Sequence, residues 1–89
     1  MECLLPESLD ISTVLDSTTQ YRSWLSHAEQ LDVDASKVGR VDAAGIQALT
    51  SLFLSAKSNQ IEIRLLKPSP LLTEGIATLG LNEPFDMNH

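Results

Sequence analysis

Asp32, Asp34, Ser36 and Asp42 are the polar residues of this chain whose types and spacing invite a chemical reading. Asp32 and Asp34 are two apart, so a strand points both carboxylates to one side. Paired carboxylates can share acid–base work. Nothing in the sequence builds a cleft around this pair, and a solvated surface pair is the simpler account. His27 and His89 are the only histidines. His89 ends the chain, and His27 falls at a helix end, where a cation is favourable for structural reasons. No G-x-S-x-G elbow is present. Cys3 is the only cysteine, which rules out a C-x-x-C pair, an intrachain disulfide and a Cys/His zinc cluster. Catalysis, a metal and a cofactor are therefore not expected.

Phosphate binding has little support. Neither G-x-x-x-x-G-K nor G-x-G-x-x-G occurs. A helix starting after Asp42 would offer free N–H groups to an anion, but the Asp42 carboxylate would oppose it. A small-ligand or nucleotide binder remains an alternative, and it would need a pocket beside Asp34 and Asp42.

The balance of charge excludes other classes. Twelve acidic residues face six basic ones, a formal net charge of -6. Sequence-independent nucleic-acid binding requires the opposite sign, and so does docking on anionic lipid. No apolar run reaches transmembrane length, and the N-terminus lacks a basic region followed by an apolar one. A cytoplasmic protein without direct membrane insertion is expected. The 89 residues suit a single domain spanning 1–89, with 86–89 frayed, and a hydrophobic content of 43% suits a folded one.

The elements that would position the acidic residues can be read in order. Met1 to Leu5 is a short edge strand ended by Pro6. Glu7 to Ile11 alternates, with Leu9 and Ile11 on one side. A helix is predicted from about Thr13 to His27, capped by Ser12 or Thr13. Its stripe would be Val14, Thr18, Tyr21, Leu25 and Ala28, flanked by Trp24, with Tyr21 and Trp24 helping to fill the core. Leu31, Val33 and Ala35 form a strand, and Asp34 and Ser36 hold the turn that leaves it. Gly39 lets the loop bend over Val38 and Val41. Asp42 caps a second helix, whose core face is Ile46, Leu49, Leu52, Phe53 and Ala56. Gly45 lies on its core side and permits close approach to the sheet. Asn59 is the expected left-handed terminator. Ile61 to Leu66 is a strand. Ser69 caps a third helix with Pro70 first, Leu72, Ile76 and Leu79 on its stripe, and Gly80 as its stop. Leu81 and Phe85 return to the core. This order predicts a small α/β domain, a mixed β-sheet with about three main helices packed chiefly on one face.

The second helix has an unusual wet face. No charge falls between Asp42 and Lys57, although a helix of a small domain normally places charge toward water. The face carries Ala44, Gln47, Ala48, Ser51, Ser55 and Ser58. Either another helix of the same domain covers it, or small neutral side chains are simply good surface residues, or it docks a protein without stranding buried charge.

The pattern Asp34-x-Ser36-x-Val38-x-x-Val41-Asp42-x-x-Gly45-Ile46-x-x-Leu49 resembles the signature of STAS domains, the family of bacterial anti-sigma factor antagonists. Leu5-Pro6-Glu7 with Leu9 and Ile11 resembles the family's first strands. Pro68-Ser69 with Leu72 and Leu79-Gly80-Leu81 resembles its last helix. The resemblance thus covers most of the chain. It implies a non-catalytic module of bacterial signalling that binds a protein through the start of the second helix. In the family the third residue of Asp-x-[Ser/Thr]-Gly is phosphorylated by a partner kinase. Here that position is Ala44, and Ala43 lacks a hydroxyl as well, so the resemblance implies a lost phosphosite. It assigns Ser36 to the turn. The implied contact residues are Asp34, Ser36, Asp42, Ala43, Ala44, Gly45, Gln47, Ala48 and Ser51. The implied partners are an anti-sigma factor or other histidine-kinase-like ATPase, a chemotaxis component, or the ATPase of a lipid transporter, to which similar single domains bind as regulatory subunits.

Overall fold

The chain was described from a computed structural model, which covers residues 1–27 and 29–86. The elements run β1 (Glu2–Leu4), β2 (Ser8–Leu9), α1 (Val14–His27), β3 (Gln30–Asp34), β4 (Arg40–Val41), α2 (Ala43–Ser58), β5 (Glu62–Leu66) and α3 (Pro70–Thr78). The fold class is the α/β arrangement expected. The pairing differs in one respect from a mixed sheet: every ladder among the described residues is parallel. β1, β3 and β5 form one sheet in that order, and β2 and β4 form a separate pair. Parallel neighbours cannot be joined by tight hairpins, and here the helices α1 and α2 supply the crossovers.

Alternation in the strands sorts the sheet's faces. Cys3, Leu31, Val33 and Ile63 point to the covered side and are buried. Glu2, Leu4, Glu62 and Arg64 face outward and are exposed. α2 crosses the covered side with Ile46, Leu49, Leu52, Phe53 and Ala56 buried, its expected core face. Phe53 is 1% exposed and stacks at an angle on Phe85, with ring centroids 4.6 Å apart. Burying such a ring stabilises the fold by about 2–3 kcal/mol.

Several local expectations change. α1 turns its Ser17, Tyr21 and Trp24 side inward, so Tyr21 and Trp24 fill the core as expected, whereas Thr18, placed on the stripe, is exposed. The two rings are neighbours, with centroids 5.3 Å apart, and their combined area fixes which side of the helix faces in. Burial pushes the Tyr21 phenol up to about 12, with the nearby Ser17 hydroxyl acting the other way. Its Oη has no partner in hydrogen-bonding geometry among the described residues. Ala28 lies outside the described residues. Thr13 does not cap α1. Its hydroxyl turns back to donate to the Ser8 carbonyl at 3.0 Å.

Ile11 is 68% exposed rather than paired with Leu9. The strand ends earlier because Asp10 starts a turn. Its carboxylate accepts the Ser12 N–H at 3.1 Å, and its carbonyl accepts the Thr13 N–H at 3.0 Å.

The helix ends obey one rule. At the end of α2 the left-handed residue is Gln60 (φ 60°), not Asn59 (φ -100°), whose side chain instead donates to the Ser55 carbonyl at 2.7 Å. Ile61 N–H bonds to Ala56 O, and Gln60 N–H to Lys57 O. α3 closes in the same way on Gly80 (φ 70°), with Leu81 N–H on Ile76 O. Leu81 then packs on the core, while Leu79 stays 39% exposed instead of joining Leu72 and Ile76 inside. Asp86, expected to fray, pairs with Lys57 at 3.0 Å, and residues 87–89 lie outside the described residues.

Gly45 is buried where α2 meets β2, and a Cβ there would fall on the Leu9 carbonyl and the Asp10 nitrogen. Backbone cannot yield as a side-chain tip can. Gly45→Ala is expected to destabilise the chain by about 3 kcal/mol in urea unfolding. Gly39 behaves differently from its expected role. Its φ lies outside the left-handed region and a Cβ there would meet nothing within 4 Å. Gly39→Ala should therefore unfold at the wild-type midpoint or slightly above it. Gln60→Gly removes the left-handed cost at the end of α2 and should stabilise by about 1 kcal/mol; an unchanged midpoint would show that Gln60 is unstrained there.

Candidate functional site

The short β2–β4 ladder builds the site. It pairs Ser8 with Arg40 and Leu9 with Val41, so the ends of both strands leave side by side. One continues into α1 and the other into α2. Asp42 stands at that junction in extended conformation, and its N–H donates to the Leu9 carbonyl at 3.1 Å.

The Asp42 carboxylate has two tasks. Oδ1 accepts the Gly45 N–H at 2.9 Å, the N-cap expected from the sequence. Oδ2 accepts the Ile11 N–H at 3.0 Å, which was not foreseen. These bonds, the Gly45 one foremost, hold its pKa below the usual carboxylate value of 3.8. Asp42 thus ties the β2–α1 corner to the start of α2, and its oxygens are already engaged within the chain.

The other predicted residues divide into groups. Ala43, Gln47 and Ser51 are exposed and four residues apart, so they form one stripe along α2. Leu54, 52% exposed, continues it. Ala44 and Ala48 are half-buried, and Ala48 packs against the core. Ala48, Ser51 and Ser55 line a groove against Thr18, Tyr21, Arg22 and Leu25 of α1. Part of the neutral face is therefore answered within the chain by α1, and the stripe from Ala43 to Leu54 is the part left open. Gly45 is wholly inside.

Asp34 and Ser36 do not join Asp42 through any hydrogen bond. Asp34 accepts the Ser36 N–H at 2.8 Å and holds the turn after β3, the role expected for that pair. Bonding from Ser36 is the main cause of its lowered pKa, aided by Lys67 and Lys37. Asp32 is held low chiefly by its hydrogen bonds from Arg64, the shorter at 2.8 Å. At the end of α1 the His27 Nδ1 lies 2.8 Å from the Ser23 carbonyl.

Sequence reasoning missed a second feature beside the helix start. Val41, Asp42, Ala43 and Ile46 form one wall of a cleft of about 320 Å³, and Leu71, Glu74, Gly75, Thr78 and Leu79 of α3 form the other. The signal available was Gly75, a glycine inside a helix, which marks close approach of another element. A Cβ on it would meet Ile46 Cδ1 at 2.6 Å.

The chain belongs to the STAS family. The family model described as Mlab, STAS domain, matches residues 5–87. A comparison with curated proteins finds no match. STAS domains are in general non-catalytic modules of regulation and protein interaction. Among the described residues no helix is long and apolar enough to cross a membrane.

The carboxylate of Asp42 gives a pH test. Its folded pKa is depressed, so its contribution is present above the unfolded value and is lost as pH falls through the folded one. The stability gap between wild type and Asp42→Asn is expected to be full at neutral pH. It should shrink below pH of about 4. Urea unfolding at a series of pH values measures this, and a gap independent of pH would remove the charge from the interaction.

Proposed function

We propose that this chain is a non-catalytic docking module that binds a protein partner through the start and open face of α2, without phosphate switching at that site. One observation carries the reading: the stripe Ala43, Gln47, Ser51 and Leu54 is exposed and uncharged, with Ser51 bordering the α1 groove and Ala43 the α3 cleft. Small neutral side chains let a partner's backbone approach without burying a charge. Asp42 supports the surface from beneath by fixing the helix start. Ala44 occupies the position of the family's phosphorylated hydroxyl.

That alanine also favours one kind of partnership. A module with no hydroxyl to modify suits constitutive binding, or control exercised on the partner. The anti-sigma and chemotaxis readings and the transporter-ATPase reading all supply a protein partner. Constitutive binding fits the last, a regulatory subunit of a lipid transporter's ATPase, better than it fits a phosphate-released antagonist. Purification from native lysate separates them, since an obligate subunit returns in stoichiometric amount and a transient signalling partner does not.

Ala44→Glu is expected to weaken partner binding at least about tenfold, ~1.4 kcal/mol, with the circular dichroism spectrum unchanged. An unaltered affinity would take this helix start out of the interface. Intact-mass measurement after incubation with the cognate kinase should show no added phosphate; an adduct would move attention to Ser36 or another hydroxyl.

A further inference from the structure

We propose that the cleft between the start of α2 and α3 seats an apolar, cationic helix of the docking partner. This rests on the docking reading above and extends its surface from the α2 stripe to α3.

The cleft has an apolar floor and a negative rim. Val41, Ile46, Leu71 and Leu79 supply the apolar surface, and Leu71 and Leu79 are 45% and 39% exposed. These two solvated leucines, one at each end of α3, put apolar surface on the side that faces the start of α2. Gly75 lies between them and lets α3 sit close to Ile46, whose Cδ1 lies 2.6 Å from where a Cβ on Gly75 would stand, so the floor of the cleft is apolar. Among the described residues the ionisable groups lining the cleft are Asp42 and Glu74, with no Lys, Arg or His. Glu74 has no ion pair among the described residues, and Asp42 keeps its negative charge while its oxygens bond backbone. An apolar helix with lysine or arginine beside its apolar face is complementary to this cleft. An acidic helix would meet two carboxylates and gain no cation.

The probe is a pair of labelled amphipathic peptides of about 14 residues, with leucines on one face and either lysines or glutamates beside them. Fluorescence anisotropy should show the lysine peptide binding at least about tenfold more tightly at low salt. In ¹⁵N-labelled chain its shift changes should centre on Val41, Leu71 and Gly75. Glu74→Lys, at an exposed position, should abolish the preference. Equal binding of both peptides, no binding of either, or shifts confined to the α1–α2 groove would overturn the proposal. With the native partner, affinity lost on Ala44→Glu but kept on Leu71→Ser and Leu79→Ser would leave the docking reading standing and remove the cleft from it. Affinity kept on Ala44→Glu would remove the docking reading itself.

Discussion

The structure depends on one carboxylate. Asp42 accepts the N–H of Gly45 with one oxygen and that of Ile11 with the other. The first bond starts α2. The second holds the corner where β2 gives way to α1. Gly45 then lets the first turn of α2 lie directly on the Leu9 backbone. The core face of α2 is set by that start, because every later buried position follows at helical spacing from Ile46. The open stripe is set by the same start on the opposite side. A helix that began one residue later would turn its apolar side out of register with the sheet and its neutral side out of register with α1.

The stripe that this start leaves open on α2, from Ala43 to Leu54, carries no charge. Three carboxylates of the chain are engaged within it: Asp42 with backbone, Asp34 with the Ser36 turn, Asp32 with Arg64. The exposed residues of α2 from Ala43 to Ser51 are neutral, with Leu54 next along the stripe and Lys57 beyond it paired to Asp86. Such a face can be covered at little desolvation cost. It has no hydroxyl at position 44 through which a phosphate could raise that cost later.

Much of this was legible in the sequence. Asp42 as cap, Ser69 with Pro70, Gly80 as stop and the Leu31–Val33 alternation were all realised. These features are local, and local chemistry decides them. The misses arose where distant groups decide. Ile11 looked like a strand residue, but the Asp10 turn and the bond to Asp42 hold it outside. Thr18 fell outside the buried stripe because the Tyr21 and Trp24 rings decide which side of α1 faces in. Leu79 kept the helical period of its stripe yet stayed at the surface, because the helix closes at Gly80 and Leu81 fills the core instead. The α2–α3 cleft was illegible for the same reason. Its walls come from segments about 30 residues apart, and only Gly75 hinted that they approach. For the site, the sequence grouped Asp34 and Ser36 with Asp42, whereas their hydrogen bonds separate a turn after β3 from the start of α2.

The central claim is that a protein partner covers the start and open stripe of α2. Hydrogen exchange of the native complex against the free chain tests it directly, peptide by peptide. The account predicts slowed exchange across residues 43–54 in the complex, with the outward face of the β1–β3–β5 sheet unchanged. Protection confined to that sheet face, with residues 43–54 exchanging as in the free chain, would contradict it.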